Sequence, residues 1–430
     1  MKRLLFLLAL LSSITSWAQN NGAITQAMDN YDYQTVIDLI DRQEPNSQLL
    51  YLKAKAHKGL YQYNEAVRTL EQSIKLSPDN QQLLLEMGEC CKLAGKFNDA
   101  LQSYEKILNL NPDHTYAQIQ YINLLMMLDK YPLARKACDE VLQRDSSVVF
   151  VRLMAQCHEG LLESLSARDW YKKAVELTPN DYFVVSKLAS LYNQTNDSML
   201  AIEVTEKFRQ NDSTNIYVNR QNAQAYCLTQ QYDDAIKRYE KLLEQGDKSR
   251  MTTYYAGICY FVKENFYEAH DCLEIALKYD EKNVNVLYYL ARACAKTSWK
   301  KEGVEYMKQA LEYTIPSNEN LAQLYTGLAE CYHHNREWKN YVETLKLQHK
   351  YDPQKHVILY RLGAAYQDLL KDNKNAERYL EMFLKTKPKD TEDSDSAMEG
   401  GTLVIGASSI YKAAESRLND IRTEKFFNPQ

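Results

Sequence analysis

Small residues recur at an interval of 33 or 34 along most of the chain, and this period constrains the fold more than any other feature. The first series is Ala66, Ala100, Ala134, Ala167, Ala201, Ala235, Ala269 and Gly303. A second series, twelve residues ahead of the first, is Ala54, Gly88, Ile122, Ala155, Ala189, Ala223, Gly257 and Ala291, with Ile122 as its one large member. Two small positions in a period of this length are typical of stacked helix pairs.

Apolar residues and prolines follow the same period. From residue 98 to 110 the apolar stripe has helical spacing and consists of Leu101, Tyr104, Ile107 and Leu108. Prolines that can close a second helix are Pro78, Pro112, Pro179, Pro353 and Pro388. One hairpin cannot bury both of its stripes alone, so neighbouring hairpins must stack. We therefore predict an all-α solenoid. The small numbers of glycines (13) and prolines (9) argue against a fold rich in sheets and tight turns.

The segment 81–114 resembles the tetratricopeptide repeat (TPR) family in its small, aromatic and proline positions. These positions are Gly88, Phe97, Ala100, Tyr104 and Pro112. The resemblance implies a right-handed superhelical α-solenoid of about ten to eleven TPR helix hairpins with a C-terminal capping helix. The repeats are placed at 47–80, 81–114, 115–147, 148–181, 182–215, 216–249, 250–283, 284–317, 322–355 and 356–390. Ile122 and Tyr341 depart from the small positions, an extra residue lies near Asn373, and residues 318–321 are interpreted as an insertion.

The two ends of the chain differ from the repeats. Residues 1–18 combine Lys2 and Arg3 with the apolar run Leu4–Leu11 and small residues before Gln19, which is typical of a secretory signal peptide. We therefore expect an exported protein, soluble after cleavage, and a periplasm fits the signal best. The remaining domain predictions are a degenerate N-terminal TPR-like repeat (19–46), a ten-repeat solenoid (47–390), an acidic linker (391–406) and a C-terminal capping helix and tail (407–430).

Several kinds of chemistry are not indicated. The net charge is −5 and no block of lysine or arginine occurs, so nucleic acid is not an expected partner. We find no catalytic constellation and predict no enzyme activity, no cofactor and no metal site; Glu330 and His334 share a helix face but form only a pair. The nine cysteines lie at helical packing positions and are interpreted as structural thiols, with a bridge within one hairpin, such as Cys259 with Cys272, as the alternative.

The family resemblance implies that the first helices of successive repeats line a concave groove that binds partner proteins or extended peptides. Its groove-facing positions are places 2, 5, 9, 12 and 13 of each repeat, counted from the repeat's first residue. The candidate partner-binding residues are Tyr116, Ile119, Asn123, Met126, Arg152, Asn193, Arg220, Gln224, Tyr254, Phe261, Tyr288 and Arg292. Amide side chains can hydrogen-bond a peptide backbone, and tyrosine offers a large amphipathic surface.

The prediction that follows is an exported scaffold or adaptor within a cell-envelope complex. The alternative is a protein that binds a glycan or another small ligand through groove tyrosines, of which the chain has a large supply (33 tyrosines). Packing between repeats competes with both interpretations for each named side chain, because tyrosine is often half-buried in folded proteins.

Overall fold

The fold was analysed in a computed structural model, which describes residues 22–314, 317–387 and 407–427. All regular secondary structure in these residues is helical. Residues 22–29 form α1. The later helices are α2 (Tyr33–Ile40), α3 (Ser47–Gly59), α4 (Tyr63–Leu76), α5 (Gln81–Leu93), α6 (Phe97–Leu110), α7 (Thr115–Met127), α8 (Tyr131–Leu142), α9 (Val148–Gly160), α10 (Ser164–Leu177), α11 (Tyr182–Gln194), α12 (Ser198–Arg209), α13 (Ile216–Leu228), α14 (Tyr232–Glu244), α15 (Arg250–Val262), α16 (Phe266–Leu277), α17 (Val284–Ala295), α18 (Lys300–Tyr313), α19 (Asn318–His334), α20 (Trp338–Tyr351), α21 (Val357–Asp368), α22 (Asn373–Leu384) and α23 (Ala407–Phe427). The predicted all-α hairpin solenoid is confirmed, whereas the expected signal peptide (1–18) and the whole acidic linker (391–406) lie outside the described residues.

The turn inside most of the described hairpins has a left-handed residue, and the turn between α17 and α18 does not. Tyr61 has a φ of 61° and follows α3, where its N–H donates to the Lys58 carbonyl and the next N–H donates to the His57 carbonyl. This is the hydrogen-bond pattern of a Schellman cap. The equivalent residues of other hairpins, also at positive φ, are Tyr31, Gly95, Asp129, Leu162, Asn196, Gln230, Glu264, Arg336 and Lys371. The turn geometry therefore repeats even though only one of these residues is glycine.

The small positions bring the two helices of a hairpin close together. Ala100 and Ala235 are fully buried. At Gly88 the ring of Tyr104 fills the space of the missing side chain, since a Cβ there would lie 2.7 Å from Cζ of that ring. At Gly303 the main chain itself is close, because a Cβ would lie 2.7 Å from the carbonyl oxygen of Ala291. Larger side chains at these positions would push the paired helices apart.

Two compact bodies make up the described chain, one ending at Leu191 and the other beginning at Tyr192. Among the described residues of the first body, one apolar cluster runs from Ile24 to Ala56 and a larger one runs from Tyr51 to Cys157. The second body has clusters along its helix stack, and the largest runs from Leu287 to Ile421. In this second body α23 packs on α22, with Phe383 and Tyr411 stacked at 4.6 Å between ring centroids.

Two irregularities of the sequence period take different forms in the structure. Residues 318–321, interpreted as an insertion, form the first turn of α19, which is 17 residues long. The extra residue near Asn373 falls in the turn before α22, where Lys371 takes the left-handed conformation one place later than in other repeats. Helix extension and turn lengthening both leave the stacking of hairpins intact.

Candidate partner-binding face

The first helices of neighbouring repeats are joined by a recurrent contact between their side chains. The residue at place 12 of one repeat touches the residues at places 6 and 9 of the next, and we name this contact the inter-repeat seam. In the first body, Lys58 Nζ donates to Glu86 Oε1 at 2.8 Å and to Glu89 Oε2 at 2.7 Å. Burial alone lowers the pKa of Lys58, but the two carboxylates outweigh it and raise that pKa above its ordinary value.

The seam uses other chemistry elsewhere in the molecule. Lys187 Nζ donates to Glu159 Oε1 at 2.6 Å, which reverses the sign of the pair between places 12 and 6. In the second body, Asn193 Nδ2 donates to the main-chain carbonyl of Gln221 at 3.1 Å and lies 3.5 Å from Gln224 Oε1. The contact is thus set by the repeat geometry and filled by ion pairs or amides.

An aromatic version of the seam lies in the second body. The Phe261 ring, at place 12, packs edge-on against Tyr289 with 5.5 Å between centroids, and the Arg292 guanidinium lies 5.0 Å from the same ring centre. Arg292 also lies over the ring of Tyr288 at 5.3 Å. A guanidinium held against two aromatic faces is attracted by their quadrupoles and is fixed in orientation.

The charge of Arg292 is met by Glu330 on α19. Arg292 Nε donates to Glu330 Oε2 at 2.6 Å, and Lys296 Nζ approaches Glu330 Oε1 at 3.0 Å. Burial alone raises the pKa of Glu330, but the two cations outweigh it and hold the pKa below its ordinary value. Lys296 also hydrogen-bonds His334. The sequence pair Glu330 and His334 therefore has a lysine as its common partner.

Arg220 is bound within the protein and does not point freely from the face. Its Nε and Nη2 atoms each lie 2.6 Å from an oxygen of Asp247, which also accepts from Thr252 Oγ1 at 2.6 Å. Burial raises the pKa of Asp247, but its hydrogen bonds from Arg220, Thr252 and Ser249 lower it to about 2. Arg220 and Asp247 form a bidentate pair that ties α13 to the loop after α14.

The candidates of the first body form a more open surface on α7 and α9. Tyr116 is exposed, and its hydroxyl donates to Glu89 Oε1 at 2.9 Å, which links the surface to the seam. Asn123 is exposed, whereas Ile119 and Met126 are half-buried against the apolar cluster. Arg152 lies 5.8 Å from the Phe183 ring centre and 3.7 Å from Asp181.

The structure brings some of the sequence-predicted residues together and engages others inside the protein. Phe261, Tyr288 and Arg292 meet, and Asn193 meets Gln224. Tyr254 instead packs edge-on with its neighbour Tyr255, at 5.1 Å between centroids. The part that all of the candidate residues play in partner binding remains a prediction.

Sequence reasoning missed most residues of the seam pairs and the carboxylate that holds Arg220. The missed residues are Lys58, Glu86, Glu159, Lys187, Asp247 and Lys296. The signal was present as complementary side chains 28 or 31 residues apart, as in Lys58 with Glu86 and Glu89. Tyr217, which is 56% exposed at place 2, was also missed because its exposure depends on the neighbouring repeats.

The described ranges also bear on metal sites, thiols and membrane spans. Within them, no group of three or more histidine, cysteine or acidic side chains is arranged to hold a metal. All nine cysteines fall in these ranges and are buried and free. None of the helices in the described part of the chain is both long and apolar enough to cross a membrane.

Family comparisons agree with the hairpin architecture. Models described as tetratricopeptide repeat match residues 47–80 and 92–157. A model of subunit 3 of the anaphase-promoting complex, or cyclosome, matches residues 228–310. The chain belongs to the tetratricopeptide repeat family. The repeat in this family is typically a non-catalytic module for protein interaction.

Solved structures with similar folds are distant in sequence. A tetratricopeptide repeat protein from Parabacteroides merdae is 14% identical, with 58% of this chain and 98% of that chain covered and a TM-score of 0.43. YrrB, described as a TPR protein with an unusual peptide-binding site, is 18% identical over 44% of this chain and 97% of its own, with a TM-score of 0.38. The Cut9–Hcn1 assembly of the anaphase-promoting complex gives 13% identity, coverage of 91% and 82%, and a TM-score of 0.40. No curated protein matches the chain.

Proposed function

We propose that this protein is an exported, non-enzymatic TPR scaffold that holds protein partners or extended peptides in a concave groove along its first helices, within a cell-envelope complex. The observation that carries the proposal is the inter-repeat seam. The seam fixes the spacing of neighbouring first helices through side chains that are already paired. A surface ordered before binding loses little conformational entropy when a partner docks, so many modest contacts can add up.

The groove residues divide into a framework and a contact surface. Arg220, Arg292 and Asn193 belong to the framework, because each is buried or half-buried and at least one of its side-chain nitrogens is bound to a neighbouring helix or loop. Tyr116 and Tyr217 belong to the contact surface, since both are exposed at place 2 of their repeats. Tyrosine in such positions supplies contact area with few rotatable bonds and one polar tip.

An in-cell crosslinking pull-down of the tagged, full-length protein tests this division. We expect Tyr217→Ala and Tyr116→Ala each to lose partners that the wild type captures. The matched control is Tyr267→Ala, because Tyr267 is also 56% exposed and makes one aromatic contact but lies on a second helix, α16. Equal capture by all variants, with normal helix content, would move the interface away from the first helices.

The exported location rests on the signal-peptide pattern of residues 1–18 and is tested separately. We expect the protein recovered from cells to begin at Gln19 and to leave with the periplasmic fraction. A full-length protein beginning at Met1 in the cytoplasmic fraction would contradict export but would leave the binding face untouched.

A second candidate function is supported by a cavity in the second body. The cavity has a volume of about 300 Å³, and its lining includes Asn285, Tyr313, Asn320 and Gln323. Amide groups beside an aromatic ring suit a short saccharide, which needs directed hydrogen bonds and a stacking surface. Titration with di- and trisaccharides should then change the tyrosine fluorescence of the wild type and not of Tyr313→Ala. An unchanged signal in the wild type would remove this candidate.

A further inference from the structure

A cavity of about 200 Å³ lies in the first body, between α6, α7 and α8. Ile122 and Val141 are buried in its wall, and Leu108 and Ala137 are partly buried against the same apolar cluster. Ala137 stands at place 23 of its repeat, where the next repeat has Trp170, which also packs against this cluster. The cavity is therefore found where a small residue replaces the large ring of a neighbouring repeat.

One polar side chain lies among these apolar walls. Gln118 lines the cavity from place 4 of its repeat and is only 6% exposed. The other place-4 residues of the first body are all apolar, namely Leu50, Leu84, Val151 and Val185. Burial of an amide costs free energy unless its polar atoms are paired, so a glutamine at this place needs hydrogen-bond partners.

The protein satisfies only one end of the Gln118 amide. Its Nε2 donates to the main-chain carbonyl of Pro112 at 2.6 Å, which fixes the orientation of the amide group. In the second body, the place-4 residue Asn219 makes the same kind of contact six residues back, and its Oδ1 accepts from Arg209. The place of Arg209 is taken in the first body by Leu108, which has no donor. Throughout the described ranges, no side chain or main-chain group donates to Oε1 of Gln118.

We propose that this cavity binds a small, neutral, planar aromatic molecule with an N–H or O–H donor, of the size of indole or phenol. A cavity of about 150 Å³ holds benzene, whereas pockets for drug-sized ligands begin at about 300 Å³, so this volume suits one substituted or fused ring system. The apolar walls contact the ring, and the ligand's donor meets Gln118 Oε1.

The charges beside the cavity favour a neutral ligand. Glu140 and Arg144 line it with opposite signs. Arg144 lies 3.1 Å from Asp113, and Glu140 lies 3.9 Å from Lys136. A charged ligand would compete with one of these ion pairs, whereas a neutral ring with one donor leaves both in place. The site is distinct from the groove of the scaffold proposal, and its ligand is neither a peptide nor a saccharide.

The test is a ligand-observed NMR titration of the full-length protein with indole and with benzofuran, which has the same shape but a ring oxygen in place of the N–H. We expect indole to bind saturably at one site and benzofuran to bind about three- to tenfold more weakly, because it cannot donate to Gln118. Absence of saturable indole binding to protein with native helix content would mean that the cavity holds only water and would overturn the proposal. Equal affinity for the two compounds would overturn the assignment of a donor.

Three variants test whether binding occurs in this cavity. Ala137→Trp adds the ring that the next repeat has at this place and should abolish indole binding, whereas Asp139→Trp, at an exposed position of α8 outside the lining, should leave binding unchanged. Gln118→Leu should bind indole and benzofuran with equal affinity, and this readout remains if Ala137→Trp fails to fold. Unchanged indole binding by folded Ala137→Trp would place the ligand elsewhere and overturn the proposal.

A competition experiment separates a free ligand from a side chain of a partner protein. N-acetyltryptophanamide carries the same indole ring on a peptide-like main chain. We expect it not to displace indole, because the cavity has room for the ring system alone. Displacement at equal concentration would assign the cavity to a tryptophan of a partner protein and would overturn the proposal of a free ligand. None of these readouts depends on partner capture, so failure of the scaffold proposal would leave them unchanged.

Discussion

Replacing Gly303 with alanine tests whether the small positions are set by main-chain approach. The added Cβ would lie 2.7 Å from the Ala291 carbonyl oxygen and 3.0 Å from the Cys294 Cβ. Neither atom belongs to a flexible side-chain end, so α18 must move away from α17. Overpacking of this kind costs about 1–3 kcal/mol, and the closeness of the main chain favours the upper half of that range. Alanine is better in a helix than glycine by about 1 kcal/mol, which offsets part of the cost. The expected net loss is about 1–2 kcal/mol of unfolding free energy.

The control for this substitution is Gly327→Ala in the same body. There the nearest atom is the terminal methyl of Met307, at 2.5 Å, and the edge of the Tyr288 ring follows at 2.8 Å. A methionine end can move, so repacking and the gain in helix propensity should nearly cancel. Both variants are compared with wild type by urea unfolding followed by far-UV circular dichroism. If Gly303→Ala is as stable as wild type, or more stable, the helices can separate freely and the close-approach reasoning is wrong.

Three further predictions concern the turns, an ion pair and the C-terminal helix. Leu162 is 88% exposed and has a φ of 60°, a left-handed conformation that is unfavourable for leucine. Leu162→Gly should therefore raise the free energy of unfolding by about 1 kcal/mol in urea unfolding. The control Leu165→Gly, within α10, should lower it by a similar amount. A stabilising effect at both positions would contradict this. The lowered pKa of Asp247 means that its pair with Arg220 contributes stability above the ordinary aspartate pKa of 3.8, and that about 2 kcal/mol is lost as pH falls from near 4 to about 2. Asp247→Asn should flatten that part of the stability–pH curve, and an unchanged curve would show that the pair is not responsible. Deletion of residues 407–430 should expose the apolar surface of α22 around Phe383 and increase binding of the dye ANS, whereas unchanged dye binding would mean that α23 covers nothing.

The 33- or 34-residue period predicted the stack of hairpins because each small residue in it marks a place where two helices pack closely. Ala100 and Ala235 are small since a second helix passes close to them, and the period survives wherever that approach is required. Proline marked helix ends because its ring cannot continue a helix, and Pro112 follows the end of α6 at Leu110. Both signals depend on residues within one hairpin, so a single sequence contains them.

The hairpin turns were not predictable from residue type. Tyr61 and Leu162 take a conformation that glycine or asparagine favours, and nothing in their chemistry indicates it. The Schellman hydrogen bonds and the packing of the next helix impose the turn on whatever residue falls there. The sequence likewise did not show that the four inserted residues 318–321 lengthen a helix.

Whether a groove side chain is paired or exposed also depends on contacts between repeats. Arg220 and Arg292 were predicted to contact a partner, yet Asp247 and Glu330 already pair with them from elsewhere in the second body. Pairing at separations of 28 and 31 residues can be sought in a sequence, but only once the repeat register is known. Exposure, as at Tyr217, depends on the surrounding helices and was not available from the sequence.

The most direct test of the scaffold proposal is site-specific photo-crosslinking in cells. A photoreactive amino acid is placed at position 217 in one strain and at position 267 in another, two positions of equal exposure on a first and a second helix. The account predicts that the first position yields discrete crosslinked partner bands and that the second does not. Discrete bands from position 267 alone would contradict the assignment of the first helices as the binding face.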